Sequence, residues 1–137
     1  MTNRKPLSWI PAVVCMAAIF VLSSMPTLPP PPGIGGLDKL EHYIAYAVLS
    51  ILVFIASRKT WTGFGPCAVM AVSVVITALY GMTDEFHQRF VPNRCCDVFD
   101  WTADLLGAIT GVVLAAGVAF LFRKRKLKDT MYRFSAD

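Results

Sequence analysis

Residues 60–94 read TWTGFGPCAVMAVSVVITALYGMTDEFHQRFVPNR, and this stretch decides the class of fold. Its first part, Thr60 to Thr83, is uncharged and can cross a bilayer as a helix, because a hydrocarbon core of about 30 Å needs about 20 helical residues. Its second part, Asp84 to Arg94, puts seven charged, imidazole or amide side chains into eleven residues. Such a cluster at a membrane edge is costly unless it is paired or used. We therefore expect a functional site at the end of this helix.

Three further apolar blocks occur in the chain, which has 137 residues, is 55% hydrophobic and has a mean hydropathy of +0.56. We predict an all-α, four-transmembrane-helix integral membrane bundle, since this composition leaves little room for a separate soluble domain. The membrane domain is predicted at residues 8–122, with helices at about 7–25, 39–57, 64–85 and 100–122, and a basic cytoplasmic tail at 123–137. Arg4 and Lys5 could open a cleaved signal peptide, but the length of the first apolar block and the lack of a small-x-small site favour a retained helix.

The second apolar block is too short to cross the bilayer alone. Residues 43–57 are fifteen uncharged residues, and at about 1.5 Å per residue they span only about 22 Å. The helix must therefore include Asp38 to His42 in its first turns, and by the same reasoning the fourth helix starts near Asp100. Asp38, His42 and Tyr46 then follow one another at four-residue intervals, so that Asp38 can cap the helix and orient the imidazole.

The distribution of Lys and Arg predicts the orientation. With four helices, ten of the thirteen basic residues fall on one side, which places both termini in the cytoplasm by the positive-inside rule. These bases flank membrane helices, so they do not indicate binding to nucleic acid. The extracytoplasmic side keeps three bases, namely Lys39, Arg89 and Arg94. Its seven acids are Asp38, Glu41, Asp84, Glu85, Asp97, Asp100 and Asp104, which leaves this side with a net charge of four negative.

The fourth helix carries two acids above two glycines. Asp100, Asp104, Gly107 and Gly111 fall within about 60° of one another at 100° per residue. Glycines spaced in this way allow a neighbouring helix to approach closely, so the two aspartates should point into the bundle. The same stripe could instead pair two copies of the chain as a homo-oligomer.

The remaining segments carry less information. Residues 29–36 are four prolines followed by a glycine-rich turn, which suits an extended spacer on the outer side. Cys95 and Cys96 are adjacent, and together with two histidines they do not match a zinc-binding spacing. Asp97 is positioned to cap the fourth helix.

Taken together, these motifs resemble the VanZ-like family of small bacterial membrane proteins over about residues 8–120. The resemblance is carried by Ser23-Ser24, Asp38-Lys39-x-x-His42, Asp84-Glu85-x-His87-Gln88-x-Phe90-Val91-Pro92-x-Arg94 and Asp100-x-x-x-Asp104-x-x-Gly107. The chain departs from the family at Asp104, where many relatives carry Asn, and at Cys95-Cys96, where small polar residues are usual.

The resemblance implies a multi-pass protein of the bacterial cytoplasmic membrane, but it implies no reaction. The family takes its name from a member associated with low-level resistance to the glycopeptide antibiotic teicoplanin. Lowered glycopeptide susceptibility is therefore the expected phenotype, and a lipid-linked molecule or a glycopeptide is the expected ligand in the lipid bilayer.

Three functions fit these residues, and whether the protein is an enzyme stays open. The first is an enzyme that modifies an amphipathic envelope substrate through general acid and base groups at the membrane edge. Its catalytic candidates are Asp84, Glu85, His42 and His87. Its substrate-binding candidates are Asp38, Tyr46, Gln88, Arg94, Asp100 and Asp104. A divalent cation is the one cofactor considered, held by Asp84, Glu85, Asp100 and Asp104 with His42, and oxygen-rich ligation favours Mg, Ca or Mn over Zn.

The second function is non-catalytic: a binding or gating protein that recognises an antibiotic, a lipid or a cell-wall precursor. The third is structural, with ion pairs that hold the helices in register. In that case Asp84 or Glu85 pairs with Arg94, and Asp38 or Asp100 pairs with Lys39 or Arg89. Three bases leave four of the seven acids unpaired, and this surplus favours a site over a purely structural role.

Overall fold

The computed structural model describes residues 6–26, 37–94 and 96–134, and within these ranges the chain is helical with no strand. A 3-10 turn, Pro6–Trp9, leads into α1, which covers Ile10–Ser23. The other helices are α2 at Leu37–Thr60, α3 at Pro66–Gln88 and α4 at Val98–Phe134. Four spans, Pro6–Ser23, Leu37–Thr60, Pro66–Gln88 and Val98–Lys128, are long and apolar enough to cross a membrane. The predicted all-α bundle with four transmembrane helices is confirmed.

Several helix boundaries differ from those expected. Helix α2 begins at Leu37, so the polar residues 38–42 do lie in its first turns. Helix α3 continues to Gln88, and the turn that follows contains Asn93 with a positive φ of 62°, a conformation that Asn tolerates. Helix α4 runs past residue 122 to Phe134, because the Arg, Lys and Leu residues there are good helix formers. The bases Arg4 and Lys5, the spacer at 29–36 and Cys95 lie outside the described residues.

Helix α2 lies at the centre of the bundle and packs most extensively against α4. A Cβ atom at Gly107 would overlap the carbonyl oxygen of Tyr43, and one at Gly111 would overlap the carbonyl oxygen of Ala47. The close helix approach predicted from these glycines is therefore confirmed, and its partner is α2 of the same chain. Because α2 already covers Gly107 and Gly111, this glycine stripe is not free to form a contact between two copies of the protein.

Helix α1 is attached by both polar and apolar contacts. At its start, Trp9 Nε1 donates to Thr60 Oγ1 over 2.9 Å, and in its middle the Tyr80 hydroxyl donates to the Met16 carbonyl over 2.6 Å. Ala12 contributes to the core formed with α2. Many large apolar side chains on all four helices are exposed, as expected for surfaces that face lipid tails rather than water.

The helices run antiparallel in chain order, so the bundle has two distinct ends. We call the end where α1 and α3 finish and α2 and α4 begin the polar end. The opposite end carries the bases Arg58 and Arg123 beside the aromatic rings of Trp61 and Phe64. Aromatic and basic residues together are typical of a membrane–water boundary.

Candidate functional site

The last turns of α3 bring three polar side chains into the bundle at the polar end. Asp84, Glu85 and Gln88 are exposed by only 3%, 3% and 2%. They can share this environment because α3 remains helical to Gln88, which keeps residues one, three and four apart on adjoining faces. Asp84 and Glu85 nevertheless have different partners. Asp84 faces α1, and Glu85 faces the junction of α2 with α4.

Asp84 has a hydrogen-bond partner on each of its oxygens. Its Oδ1 accepts a hydrogen bond of 2.6 Å from the Ser23 hydroxyl, and its Oδ2 accepts one of 3.2 Å from Gln88 Nε2. Gln88 in turn accepts a bond of 3.4 Å from Arg94 Nη1 through its side-chain oxygen. Interhelical hydrogen bonds help to hold membrane helices together, and the bond from Ser23 to Asp84 joins α1 to α3 in this way.

Arg94 contacts neutral oxygens rather than a carboxylate. Its Nε donates to the Met25 carbonyl over 3.1 Å and its Nη2 to the Leu22 carbonyl over 3.3 Å, so the guanidinium also caps the end of α1. Among the ion pairs of the described residues, none joins Arg94 to Asp84 or Glu85. The pairing considered from the sequence is therefore absent, because the α1 carbonyls and Gln88 take these donors.

His87 lies apart from the buried acids. Its Nε2 is hydrogen-bonded to the Ser24 hydroxyl at 3.0 Å, and its ring lies against Phe20 with the centroids 4.5 Å apart. Spacing along the chain does not predict this placement, because it depends on how α1 meets α3. His87 therefore does not join His42 in one catalytic group.

His42 is held between two acids from different helices. Its Nδ1 is 2.9 Å from Asp104 Oδ1 and 3.8 Å from Glu85 Oε1. Asp104 has no exposed surface. The second oxygen of Glu85, Oε2, accepts a 3.0 Å hydrogen bond from the backbone N–H of Asp97. The His42 ring is also nearly parallel to that of Tyr46, with 6.3 Å between centroids.

Lys39 is the cation that pairs with the acids around α4. Its Nζ is 2.8 Å from Asp100 Oδ1, 3.1 Å from Asp97 Oδ2 and 3.5 Å from Asp38 Oδ2. Arg89, the second base considered for these ion pairs, lies over the Phe86 ring. Asp38 is turned toward Lys39, so the expectation that it orients His42 is wrong. Asp104 does so instead, because the close α2–α4 packing brings it within reach.

Asp97 caps α4, as its position before the helix predicted. Its Oδ1 accepts a 2.8 Å hydrogen bond from the N–H of Phe99. That hydrogen bond, together with the ammonium group of Lys39, holds the pKa of Asp97 below its usual range. The carboxylate therefore stays ionised and fixes the loop that delivers its N–H to Glu85.

A cleft of about 110 Å³ opens beside these clusters at the polar end. One wall is apolar and comes from Ile19 and Leu22 of α1 together with Ala45 of α2. The polar lining is Ser23, Glu41, His42, Tyr46, Asp84, Gln88 and Arg94. The cleft is thus amphipathic, with a buried carboxylate and an imidazole on its polar side.

The structure assembles most of the residues predicted from the sequence, but in two groups. His42, Tyr46, Asp84, Gln88 and Arg94 line the cleft. Glu85, Asp100 and Asp104 gather behind His42. Asp38 and His87 belong to neither group. Neither Ser23 nor Lys39 was among the catalytic or binding residues predicted from the sequence. For Ser23, the pair of serines that ends the first apolar block could have indicated a role.

Four membrane-spanning helices with buried acids at one end define a small multi-pass membrane protein. The chain belongs to the VanZ/LLP1 family, whose model matches residues 3–123. It is also 28% identical over 120 residues to the uncharacterized protein C11E3.10 of the yeast Schizosaccharomyces pombe, a match that covers 85% of this chain. The chain spans 64% of the length of that relative. No solved structure is significantly similar to the chain.

Proposed function

We propose that the protein binds the polar part of an amphipathic envelope molecule in the cleft at the polar end, and that this binding lowers susceptibility to teicoplanin. The observation that carries the proposal is the cleft itself, which joins an apolar wall to the buried carboxylate of Asp84. Binding sites for small molecules typically combine apolar walls with a few convergent polar groups. An amphipathic ligand matches both surfaces while its acyl chain stays in the bilayer.

The proposed location is the bacterial cytoplasmic membrane, with both termini in the cytoplasm and the polar end on the outer side. The bases at the opposite end, including Arg58 and Lys59 at the end of α2, support this orientation through the positive-inside rule. In this orientation the cleft faces the side from which a glycopeptide arrives and on which lipid-linked wall precursors are displayed.

The lining favours a ligand that donates hydrogen bonds or carries positive charge. Glu41 and Asp84 are acids, and an ionised carboxylate can only accept hydrogen bonds. The one guanidinium at the cleft, Arg94, already donates to carbonyl and amide oxygens. Amine, amide or hydroxyl groups therefore fit the polar side better than a bare anion does. Ser23 and Gln88 each take one lone pair of the Asp84 oxygens and hold the carboxylate in place. We propose that its remaining lone pairs accept hydrogen bonds from the ligand, so that this carboxylate serves binding rather than catalysis.

The test compares teicoplanin susceptibility of a sensitive host that expresses the wild type, Asp84→Asn or the control Arg89→Gln, at equal membrane abundance. Arg89 is at the same end of α3, but it contacts Phe86 and lies outside the cleft. We expect protection by the wild type and by Arg89→Gln, and loss of protection in Asp84→Asn. Susceptibility to a glycopeptide without an acyl chain should change less.

Two results contradict the proposal. If Asp84→Asn protects as well as the wild type, the cleft carboxylate is not needed for protection. If the wild type does not protect at all, the antibiotic function is wrong. Calorimetric titration of the purified wild type and Asp84→Asn with teicoplanin then shows whether the cleft binds such a ligand without conferring resistance.

A further inference from the structure

Three side chains from three helices converge behind the cleft in a way that suits a metal ion. His42 of α2, Glu85 of α3 and Asp100 of α4 each offer one ligand atom, and these atoms lie within 4.8 Å of one another. Glu85 and Asp100 are buried, and His42 is half-buried. We propose that these three residues bind one divalent cation, with Asp104 beside it. The inference stands on these residues alone and does not depend on the ligand proposed for the cleft.

Two buried oxygen atoms support the proposal independently of the clustering. Glu85 Oε1 and Asp104 Oδ2 have no hydrogen-bond partner, and their residues are exposed by only 3% and 0%. Glu85 Oε1 is directed at the cluster, since it is 3.8 Å from His42 Nδ1. A buried carboxylate oxygen without a partner costs about 1–3 kcal/mol or more. A bound cation removes this cost.

The absence of a side chain at Gly81 leaves space for Asp104 Oδ2. A Cβ atom at Gly81 would lie 2.8 Å from Asp104 Oδ2 and 3.2 Å from the Tyr46 ring. Any side chain at Gly81 would therefore push the Asp104 carboxylate away. The proposed site does not include Asp84, which the sequence had named among the metal ligands, because this side chain faces α1 and is not among the three whose ligand atoms converge.

The local charge also favours a cation. Asp84, Glu85, Asp100 and Asp104 are all buried, and in the part of the chain that the structure describes only Lys39 and His42 form ion pairs with any of them. Buried charges are destabilising unless they are compensated. A divalent ion supplies the positive charge that Lys39 alone does not.

The ligand set points to manganese as the best probe. Imidazole suits the transition metals, whereas carboxylates suit Mg, Ca and Mn. Mn²⁺ satisfies both ligand types. The sequence had named Mg, Ca or Mn for four carboxylates with His42. The structure brings together only two of those carboxylates with the imidazole, which therefore counts for more in the choice of metal.

Lys39 provides a second test of the proposal, in which a substitution is expected to strengthen metal binding rather than weaken it. Its ammonium group is 2.8 Å from Asp100 Oδ1, so it competes with a metal for this carboxylate. Replacing it by the uncharged Met in Lys39→Met should therefore strengthen metal binding. A cluster that serves only to pair charges predicts no such gain.

The experiment is a titration of the purified, detergent-solubilised protein with MnCl₂, followed by electron paramagnetic resonance of free aqueous Mn²⁺. We expect the wild type to remove one equivalent of the free-ion signal. Glu85→Gln should bind at least about tenfold more weakly, because loss of a ligand weakens binding no less than loss of an outer-shell partner. Asp84→Asn removes a neighbouring buried acid on the same helix but no ligand, so it should weaken Mn²⁺ binding much less than Glu85→Gln does.

Three results overturn the proposal: no loss of free signal with the wild type, equal weakening in Asp84→Asn and Glu85→Gln, or unchanged binding in Glu85→Gln. Size-exclusion chromatography and helical circular dichroism establish that each variant is folded, and His42→Gln replaces Glu85→Gln if the latter is not. Failure here leaves the cleft proposal intact if Asp84→Asn still abolishes protection. Conversely, metal binding by a protein that gives no antibiotic protection supports the metal site and contradicts the cleft proposal.

Discussion

The close contact between α2 and α4 makes a sharp prediction for Gly107→Ala. An added Cβ would stand 3.1 Å from both the Tyr43 carbonyl carbon and the Ala47 nitrogen, and closer still to the Tyr43 oxygen. Because carbon contacts favour about 3.5–4.0 Å, these two contacts alone require α2 and α4 to separate by roughly 0.4–0.9 Å, and the closer Tyr43 oxygen requires at least as much. Overpacking of this kind costs about 1–3 kcal/mol. The contacted atoms are backbone atoms, so no side-chain rotation can relieve the overlap.

The same separation reaches the site. His42 Nδ1 and Asp104 Oδ1 are 2.9 Å apart, and the glycine lies less than one turn after Asp104. An increase of roughly 0.4–0.9 Å brings this pair to or beyond the limit of a useful hydrogen bond. Gly107→Ala should therefore weaken Mn²⁺ binding as well as stability.

The assay is reversible unfolding of the purified variants in mixed micelles, with Gly117→Ala as the matched control. Gly117 is on the same helix, but no atom of another helix lies within 4 Å of its added Cβ. We expect the free energy of unfolding to fall by about 1–3 kcal/mol in Gly107→Ala. It should stay level or rise by up to about 1 kcal/mol in Gly117→Ala, because Ala is the better helix former. Equal stabilities for the two variants would refute the close packing of α2 on α4.

Two further predictions concern single contacts. Asp97 has a lowered pKa in the folded protein, so its charge stabilises the fold above the unfolded pKa of about 4, and this contribution is lost as the pH falls through the folded value. Asp97→Asn keeps the hydrogen bond to the N–H of Phe99 but loses the charge that faces Lys39. Its free energy of unfolding should therefore be lower than that of the wild type at neutral pH, and the difference should shrink as the pH is lowered through this range. A difference that does not depend on pH contradicts the lowered pKa of Asp97. Tyr80→Phe removes the 2.6 Å hydrogen bond to the Met16 carbonyl and should lower the free energy of unfolding by about 0.5–1.5 kcal/mol, with no change implying that α1 is held without it.

The sequence was sufficient for the fold because a membrane imposes simple length and polarity requirements. The short apolar run at 43–57 forced residues 38–42 into α2, and the structure has them there. Gly107 and Gly111 likewise predicted a close approach, since small residues recur at membrane helix contacts. The long extension of α4 to Phe134 was missed because a run of charged residues was interpreted as a tail, although those residues favour helix.

The site was only partly predictable. Spacing within one helix shows which side chains can share a face, and Asp84, Glu85 and Gln88, which are three or four residues apart or adjacent, are all buried at the end of α3. It cannot show how two helices are rotated against each other. That rotation decides that His42 meets Asp104 rather than Asp38, and that neighbouring acids on α3 divide between two clusters.

The order of the chain has a consequence for the biogenesis of the membrane domain. Helices that insert one after another associate only once they are in the bilayer. Lys39 and His42 enter with the second span, but Asp100 and Asp104 arrive with the fourth. Until then Lys39 has only Asp38, and His42 has only Glu85 of the third span, among the acids that pair with them in the folded protein. The site is therefore the last part of the protein to mature, and its completion marks the arrival of the final span.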